Sequence, residues 1–152
     1  VSKPADEVIL EQTKGLPTHL HNETIAILDS LRNGKTVSHV NPNLAALFRP
    51  SVQPYMISWM KYDPSKEIQQ LRIPILIIQG TADLQVGVDH ARQLAASAPR
   101  AELKIIENMN HVLKIVETDR NKNIATYMNP NLPISDELVK AITDFIKNNE
   151  FR

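Results

Sequence analysis

Two side chains that together can hold and move a proton, Asp83 and His111, follow the two most strand-like segments of the sequence. Asp83 comes soon after the apolar residues 73–78, and His111 comes soon after residues 101–106. A carboxylate within reach of an imidazole fixes the tautomer of the ring and stabilises its protonated form. The two residues are therefore candidates for the acid and the base of a catalytic site that uses a separate nucleophile.

The elements that must position this pair form one strand–helix–strand unit. A continuous apolar run stopped by a glycine, as in residues 73–80, is typical of a strand buried on both faces of a parallel sheet. Residues 87–98 repeat apolar side chains at helical spacing, and residues 101–106 predict a second strand. Parallel strands joined by a crossover helix end at the same edge of the sheet, where open α/β sheets bind ligands. The sequence thus predicts that Asp83 and His111 lie close together at that edge.

Three segments carry a resemblance to a known family. They are residues 62–64 (Tyr-Asp-Pro), residues 73–86 (Ile-Pro-Ile-Leu-Ile-Ile-Gln-Gly-Thr-Ala-Asp-Leu-Gln-Val) and residues 110–114 (Asn-His-Val-Leu-Lys). Together they resemble the C-terminal half of serine hydrolases with the α/β-hydrolase fold, in particular the serine aminopeptidase and monoacylglycerol-lipase-like esterases. The resemblance implies that Asp83 is the acid and His111 the general base of a Ser–His–Asp triad, in the chain order of that fold.

The nucleophile motif of that family, Gly-x-Ser-x-Gly, does not occur in the sequence. The glycines are Gly15, Gly34, Gly80 and Gly87, and none of them flanks a serine in this way. The early strands of the family and the loop that donates to its oxyanion hole have no counterpart either. We therefore expect the C-terminal half of a serine hydrolase, inactive alone, whose whole enzyme cleaves a small ester or amide substrate through an acyl-enzyme.

The predicted fold class is α/β, with the last parallel strands and the crossover helix of an α/β-hydrolase fold in residues 69–152 and a helical cap in residues 1–68. Residues 51–61 of the cap predict a helix with an apolar stripe. Four side chains of this stripe are candidates to line a substrate pocket under the cap: Tyr55, Met56, Trp59 and Met60. Packing onto the sheet is the alternative role, and a cap helix can do both.

Two further segments follow His111. Residues 112–133 predict a long, polar and irregular insert, and loops of that length inside compact domains are usually functional or mobile. A final amphipathic helix begins at Ser135 or Asp136. Its apolar side chains are expected to face the sheet, namely Leu138, Val139, Ile142, Phe145 and Ile146.

Composition excludes several classes of partner and cofactor. The 17 basic and 17 acidic side chains give no net charge, whereas a nucleic-acid partner calls for a basic excess. The absence of cysteine excludes disulfides, thiol nucleophiles and thiolate metal sites. No apolar run reaches the roughly 18 residues of a membrane span. No cofactor is predicted. No metal site is predicted either, because His19 and His21 face different ways on a helix and no third ligand lies nearby.

The predicted sheet also needs a partner. Two parallel strands with free edges and apolar side chains on both faces cannot bury themselves in a monomer of this size. We expect the chain to pair through its strand edges with its own N-terminal half or with a second copy. No cellular compartment is predicted.

Other interpretations of the same residues stay open. Asp89 is a rival acid because His90 follows it, but a position inside the crossover helix favours a role in its first turn. The chain as a whole could be a non-catalytic interaction module, or part of an acyltransferase or a dehalogenase. A fold alone does not decide among these functions.

Overall fold

The computed structural model describes residues 1–117 and 119–149. Its backbone divides into two compact units. One is Lys3–Glu67, and the other joins Val1–Ser2 to the described residues from Ile68 onward. Helices account for 54% of the described residues. Within that part of the chain, none of the helices has both the length and the apolar content needed to cross a bilayer.

The Lys3–Glu67 unit is built from helices and turns. Its helices are α1 (Ala5–Thr13), α2 (Thr18–Arg32), α3 (Ala45–Phe48), α4 (Gln53–Trp59) and α5 (Pro64–Gln70), the last of which runs on into the other unit. Short 3₁₀ turns at Pro42–Leu44 and Pro50–Val52 precede α3 and α4. Gly34, with φ +72°, follows the end of α2, where the left-handed conformation suits glycine.

This helical unit has a core of its own. The core consists of Ile9, Leu20, Ile27, Leu28, Leu31, Leu44, Phe48 and Met56. The fully buried Gln53 lies beside it, and its Nε2 donates to the carbonyl oxygens of Val37 and Phe48 at 2.9 and 2.7 Å. Its Oε1 accepts from the backbone N–H of Val37 at 2.7 Å. Because both the NH₂ group and the oxygen of Gln53 are hydrogen-bonded, burying this polar side chain has little cost in free energy.

The other unit contains the predicted strand–helix–strand arrangement. Strand β1 (Leu76–Gly80) pairs in parallel with β2 (Glu102–Ile106), and the crossover helix α6 (Val88–Ser97) contacts both strands. In the register of the pair, Leu76 lies beside Glu102 and Gly80 beside Ile106. Helices α7 (Arg120–Ala125) and α8 (Asp136–Asn148) follow, with a 3₁₀ turn at Thr126–Met128 between them. The insert predicted to be irregular is therefore partly helical.

The predicted fold class, the C-terminal half of an α/β-hydrolase fold, is wrong. The described residues form a small helix-rich domain with a sheet of two parallel strands. The error has a physical origin. Only short segments carried the resemblance, and they amount to one strand, one turn and one loop. A single strand–helix–strand unit is common to many architectures and does not specify a larger sheet.

The packing on the two strands also differs from the prediction. Residues 76–78 of β1 are only half-buried, although the apolar run 73–78 predicted burial on both faces. On α8, Leu138 is buried and packs against Ile106 and Met109. Three other side chains of the predicted inner stripe stay 41–59% exposed: Val139, Ile142 and Ile146. The sheet has only two strands of five residues each in the described part of the chain, and it leaves part of the apolar face of α8 uncovered.

Candidate functional site

Asp83 and His111 lie in contact beyond the C-terminal ends of β1 and β2. Nδ1 of His111 is 3.0 Å from Oδ2 of Asp83. Because an ionised carboxylate can only accept a hydrogen bond, Nδ1 carries the hydrogen and donates it. The side chain of Asp83 is 8% exposed and that of His111 is 40% exposed. A buried acid thus orients a half-exposed imidazole.

The second ring nitrogen of His111, Nε2, has no hydrogen-bond partner among residues 1–117 and 119–149. With the hydrogen on Nδ1, neutral Nε2 has a free lone pair. That nitrogen can accept a proton from a group that approaches from outside the described part of the chain. The arrangement is the one in which a carboxylate-oriented histidine acts as a general base.

The turn after β1 holds the carboxylate of Asp83. Oδ1 accepts from the backbone N–H groups of Gln85 and Val86 at 2.8 and 2.9 Å, so the side chain closes its own turn. Nε2 of Gln79 donates to Oδ2 at 3.0 Å and to the carbonyl oxygen of Val86 at 3.0 Å. Gln79 belongs to β1, and it therefore anchors the acid to the sheet.

These contacts set the ionisation of Asp83. Burial is the largest single influence and by itself would raise the pKa. Hydrogen bonds from Val86, Gln85, His111 and Gln79 favour the carboxylate, and together they hold its pKa below the ordinary value of 3.8. Asp83 is therefore ionised at neutral pH, as an acid that orients a histidine must be.

The lowered pKa of Asp83 predicts an acid-dependent loss of stability. The stabilisation is present in full above the unfolded-state pKa near 3.8 and is lost as the pH falls through the lower folded-state pKa. Asp83→Asn cannot ionise, so its free energy of unfolding lacks this contribution. Urea unfolding of both proteins, from neutral pH down to about pH 2.5, measures the difference. We expect the advantage of the wild type to shrink below pH 3.8; an advantage that does not change with pH would contradict the assignment.

The turn that presents His111 is organised by Asn110, which is 1% exposed. Its Oδ1 accepts from the backbone N–H groups of Val112 and Lys114, both at 3.1 Å, and its carbonyl oxygen accepts from Leu113 N–H at 3.0 Å. Lys114 is 8% exposed, and its Nζ donates to backbone carbonyl oxygens of the following insert. His111 is thus carried at the exposed part of a turn that the buried Asn110 and Lys114 hold in place.

The two turns are also joined through their backbones. Ala82 N–H donates to the carbonyl oxygen of Met109 at 3.0 Å, and Asn108 N–H donates to Thr81 Oγ1 at 2.8 Å. Gly80 lies directly against the Met109 peptide, since a Cβ added there would be 1.9 Å from the Met109 carbonyl oxygen. Only glycine permits so close an approach of two backbone segments.

Sequence reasoning missed three side chains that support the pair: Gln79, Asn110 and Asn123. Asn110 did have a local signal, because an asparagine in a polar loop is typical of a side chain that closes a turn. Gln79 lies in β1 directly after the apolar run 73–78, and its polarity was a second signal. Asn123 lies in α7, and nothing in its neighbourhood in the sequence relates it to either turn.

The four predicted pocket residues belong to the Lys3–Glu67 unit, whereas Asp83 and His111 belong to the other unit. Met56 is buried in the helical core and Met60 packs against it. Tyr55 and Trp59 are 64% and 41% exposed, and their rings stack with centroids 5.7 Å apart. The role of these four residues in binding a substrate stays a prediction.

The rival residues have other surroundings. Asp89 lies in the first turn of α6, and Nδ1 of His90 is 2.9 Å from Oγ of Ser2. His19 and His21 both lie in α2. Within the described ranges, no group of three or more His, Asp or Glu side chains is arranged to hold a metal ion.

The geometry of Asp83 and His111, with the turns that hold them, is the basis for assigning a function. The chemistry that it permits is proton transfer at Nε2 of His111, oriented by a buried carboxylate. Comparison with known proteins adds no family to this description: no protein-family model matches the sequence, and no curated protein matches it.

Proposed function

We propose that this chain supplies the acid and the base of a serine hydrolase, with Asp83 as the acid and His111 as the general base. The observation that carries the proposal is the 3.0 Å contact between a buried carboxylate and Nδ1 of a half-exposed histidine. The nucleophile is a serine on a polypeptide segment outside this sequence. In support, the sequence has no Gly-x-Ser-x-Gly motif of its own.

The reaction begins when the serine hydroxyl attacks the carbonyl carbon of an ester or amide. Nε2 of His111 takes the hydroxyl proton as the new C–O bond forms, and it returns that proton to the leaving alcohol or amine as the old bond breaks. Water then attacks the acyl-enzyme, and Nε2 of His111 takes a proton from the water. It gives that proton to the serine oxygen as the bond to the acyl group breaks, and the carboxylic acid product is released. Asp83 stays ionised throughout and stabilises the imidazolium of His111.

The two-stranded sheet of this chain offers a surface to which the segment that bears the serine can bind. Within the described residues, β1 and β2 pair only with each other, so each has an outer edge with unpaired backbone groups. Some of their apolar side chains are half-buried or exposed, as with Ile77 and Leu103, whereas Ile106 is buried. We propose that this sheet edge binds either the rest of a longer polypeptide or a second chain.

A binding module without catalysis is the second candidate. It is favoured by the exposed apolar side chains of α8, Val139, Ile142 and Ile146, which are typical of a surface that contacts another protein. In that case the contact between Asp83 and His111 would stabilise a turn and no reactive serine would be found with the chain. The two candidates therefore predict different results with a reagent that labels activated serines.

The test uses a fluorophosphonate probe on the protein as it is isolated, under an affinity tag, from its source cells. Such probes react with serines that a histidine has activated. We expect a labelled serine on a polypeptide continuous with this chain or bound to it. The recombinant chain alone should not be labelled, and it should hydrolyse p-nitrophenyl acetate no faster than its His111→Ala form.

His111→Ala and His19→Ala form the matched pair of variants, because His19 is an exposed histidine distant in sequence from the proposed site. His111→Ala should abolish labelling in the tagged protein, and His19→Ala should leave it unchanged. A missing label in the wild-type preparation, or a label that survives His111→Ala, would refute the hydrolase and favour the binding module.

A further inference from the structure

We propose that Asn123 is a positioning residue, whose side-chain amide couples the turn carrying Asp83 to the turn carrying His111. Nδ2 of Asn123 donates to the carbonyl oxygen of Ala82 at 2.7 Å, and Oδ1 accepts from Nδ2 of Asn110 at 3.0 Å. Ala82 directly precedes Asp83, and Asn110 directly precedes His111. One side chain from α7 therefore bonds to the residue before each member of the pair.

The coupling is buried. Asn123 is 3% exposed and Asn110 is 1% exposed, so water has little access to the hydrogen bond between them. Nδ2 of Asn110 also donates to Thr126 Oγ1 at 2.7 Å, and that hydroxyl donates to the carbonyl oxygen of Asn123 at 2.7 Å. Loss of one partner leaves a buried polar group unsatisfied, which favours movement of the turn. The network therefore resists displacement of either turn.

Asn123 fixes the peptide group that leads into Asp83. The N–H of Ala82 already donates to the Met109 carbonyl oxygen at 3.0 Å. Because Asn123 binds the carbonyl oxygen of the same residue, both backbone polar groups of Ala82 are held. The bond to Asn110 extends this restraint to the N–H groups of Val112 and Lys114, which follow His111 in its turn. The separation of the two functional side chains thus depends on a residue in the insert.

Helix α7 has features that suit it to this role. Asp119 caps it, since its side chain accepts from the backbone N–H of Lys122 at 2.8 Å. A helix of six residues has little stability of its own, so its contacts with the two turns and the bonds from Lys114 to the insert must hold it in place. The position of α7 and the alignment of Asp83 with His111 therefore depend on the same contacts.

The effect of substituting Asn123 on the catalytic rate rests on the proposed function. Its effect on the contact between Asp83 and His111 does not. The decisive variant is Asn123→Asp, which has nearly the same shape and can still accept from Asn110. A carboxylate cannot donate to the Ala82 carbonyl oxygen and repels it, so this variant breaks the link to the Asp83 turn and keeps an acceptor for Asn110. The matched control is Asn121→Asp, which makes the same chemical change at an exposed position of the same helix.

The primary readout is the ¹⁵N chemical shift of the His111 ring in the isolated chain, which reports the tautomer and needs neither substrate nor nucleophile. We expect the Nδ1–H form to dominate in the wild type and in Asn121→Asp, and to lose population in Asn123→Asp. In the active assembly, Asn123→Asp should lower kcat by about 10²-fold with little change in KM, because a displacement of about 1 Å has that cost.

Several results would overturn the coupling. One is an Asn123→Asp protein that folds and keeps the wild-type ring shifts. If Asn123→Asp does not fold, Asn123→Ser replaces it, because serine is neutral and too short to span both partners. Failure of both variants to fold would make Asn123 a purely structural residue and would also refute the proposal. Ring shifts that change while no serine hydrolase is found would refute the proposed function and leave the coupling intact.

Discussion

His111→Ala is expected to lower kcat for ester hydrolysis by the active assembly by on the order of 10⁶-fold. Without the imidazole no group takes the proton from the serine as it attacks, and none returns it to the leaving group. Asp83 cannot act as the base in this variant, because its buried carboxylate contacts the Nδ1 side of the wild-type ring and not the Nε2 side that faces the serine. Steady-state kinetics with a p-nitrophenyl ester measure the loss.

Asp83→Asn in the same assembly separates orientation from proton transfer. The amide keeps the size of the side chain but no longer stabilises an imidazolium, and it favours the wrong tautomer of the ring. A loss of about 10⁴-fold in kcat is expected, smaller than that of His111→Ala, by analogy with the same substitution in a protease that uses a Ser–His–Asp triad. His19→Ala should keep the wild-type rate. An Asp83→Asn enzyme with wild-type kcat would remove Asp83 from the mechanism.

Gly80→Ala is expected to have the largest effect on stability. Its Cβ would lie 1.9 Å from the carbonyl oxygen and 2.5 Å from the carbonyl carbon of Met109. That peptide cannot move freely, because it accepts a hydrogen bond from Ala82 and leads directly into Asn110. Overpacking against a fixed group costs about 3 kcal/mol, and urea unfolding followed by circular dichroism measures it.

Gly87→Ala is the matched control for this substitution. A Cβ at Gly87 would meet no atom within 4 Å, and the φ of this residue, −72°, suits alanine. The free energy of unfolding should therefore stay within about 0.5 kcal/mol of the wild-type value. In Gly80→Ala protein that still folds, the ring signals of His111 should also shift, because Met109 lies two residues before it. Equal stability of the two variants would show that β1 and the Met109 peptide are not in close contact.

Local signals in the sequence were enough to predict several elements. Helix α8, Asp136–Asn148, begins directly after Ser135, whose side chain caps it, at the place that the sequence predicted. The order of β1, α6 and β2 follows from an apolar run, an amphipathic stretch and a second strand pattern. These features depend on residues near one another in the chain, and backbone preference and periodicity express them directly.

The supports of the candidate site depended on contacts between distant residues. Asn123 reaches Ala82 across 41 positions of the sequence, and Gly80 is required by its approach to Met109. No local pattern encodes such contacts. The number of strands in the sheet was likewise not predictable, because one strand–helix–strand unit occurs in sheets of many sizes.

The sequence by itself determined the approximate positions of helices α4, α6 and α8 and of the two strands, and that a carboxylate and an imidazole follow those strands. The tertiary structure alone decided that the domain is helix-rich with two parallel strands, that α8 leaves Val139, Ile142 and Ile146 exposed, and that Asn110 and Asn123 brace the turns. The reason is physical: local backbone preferences act over a few residues, whereas burial and hydrogen bonding are settled only when distant segments meet.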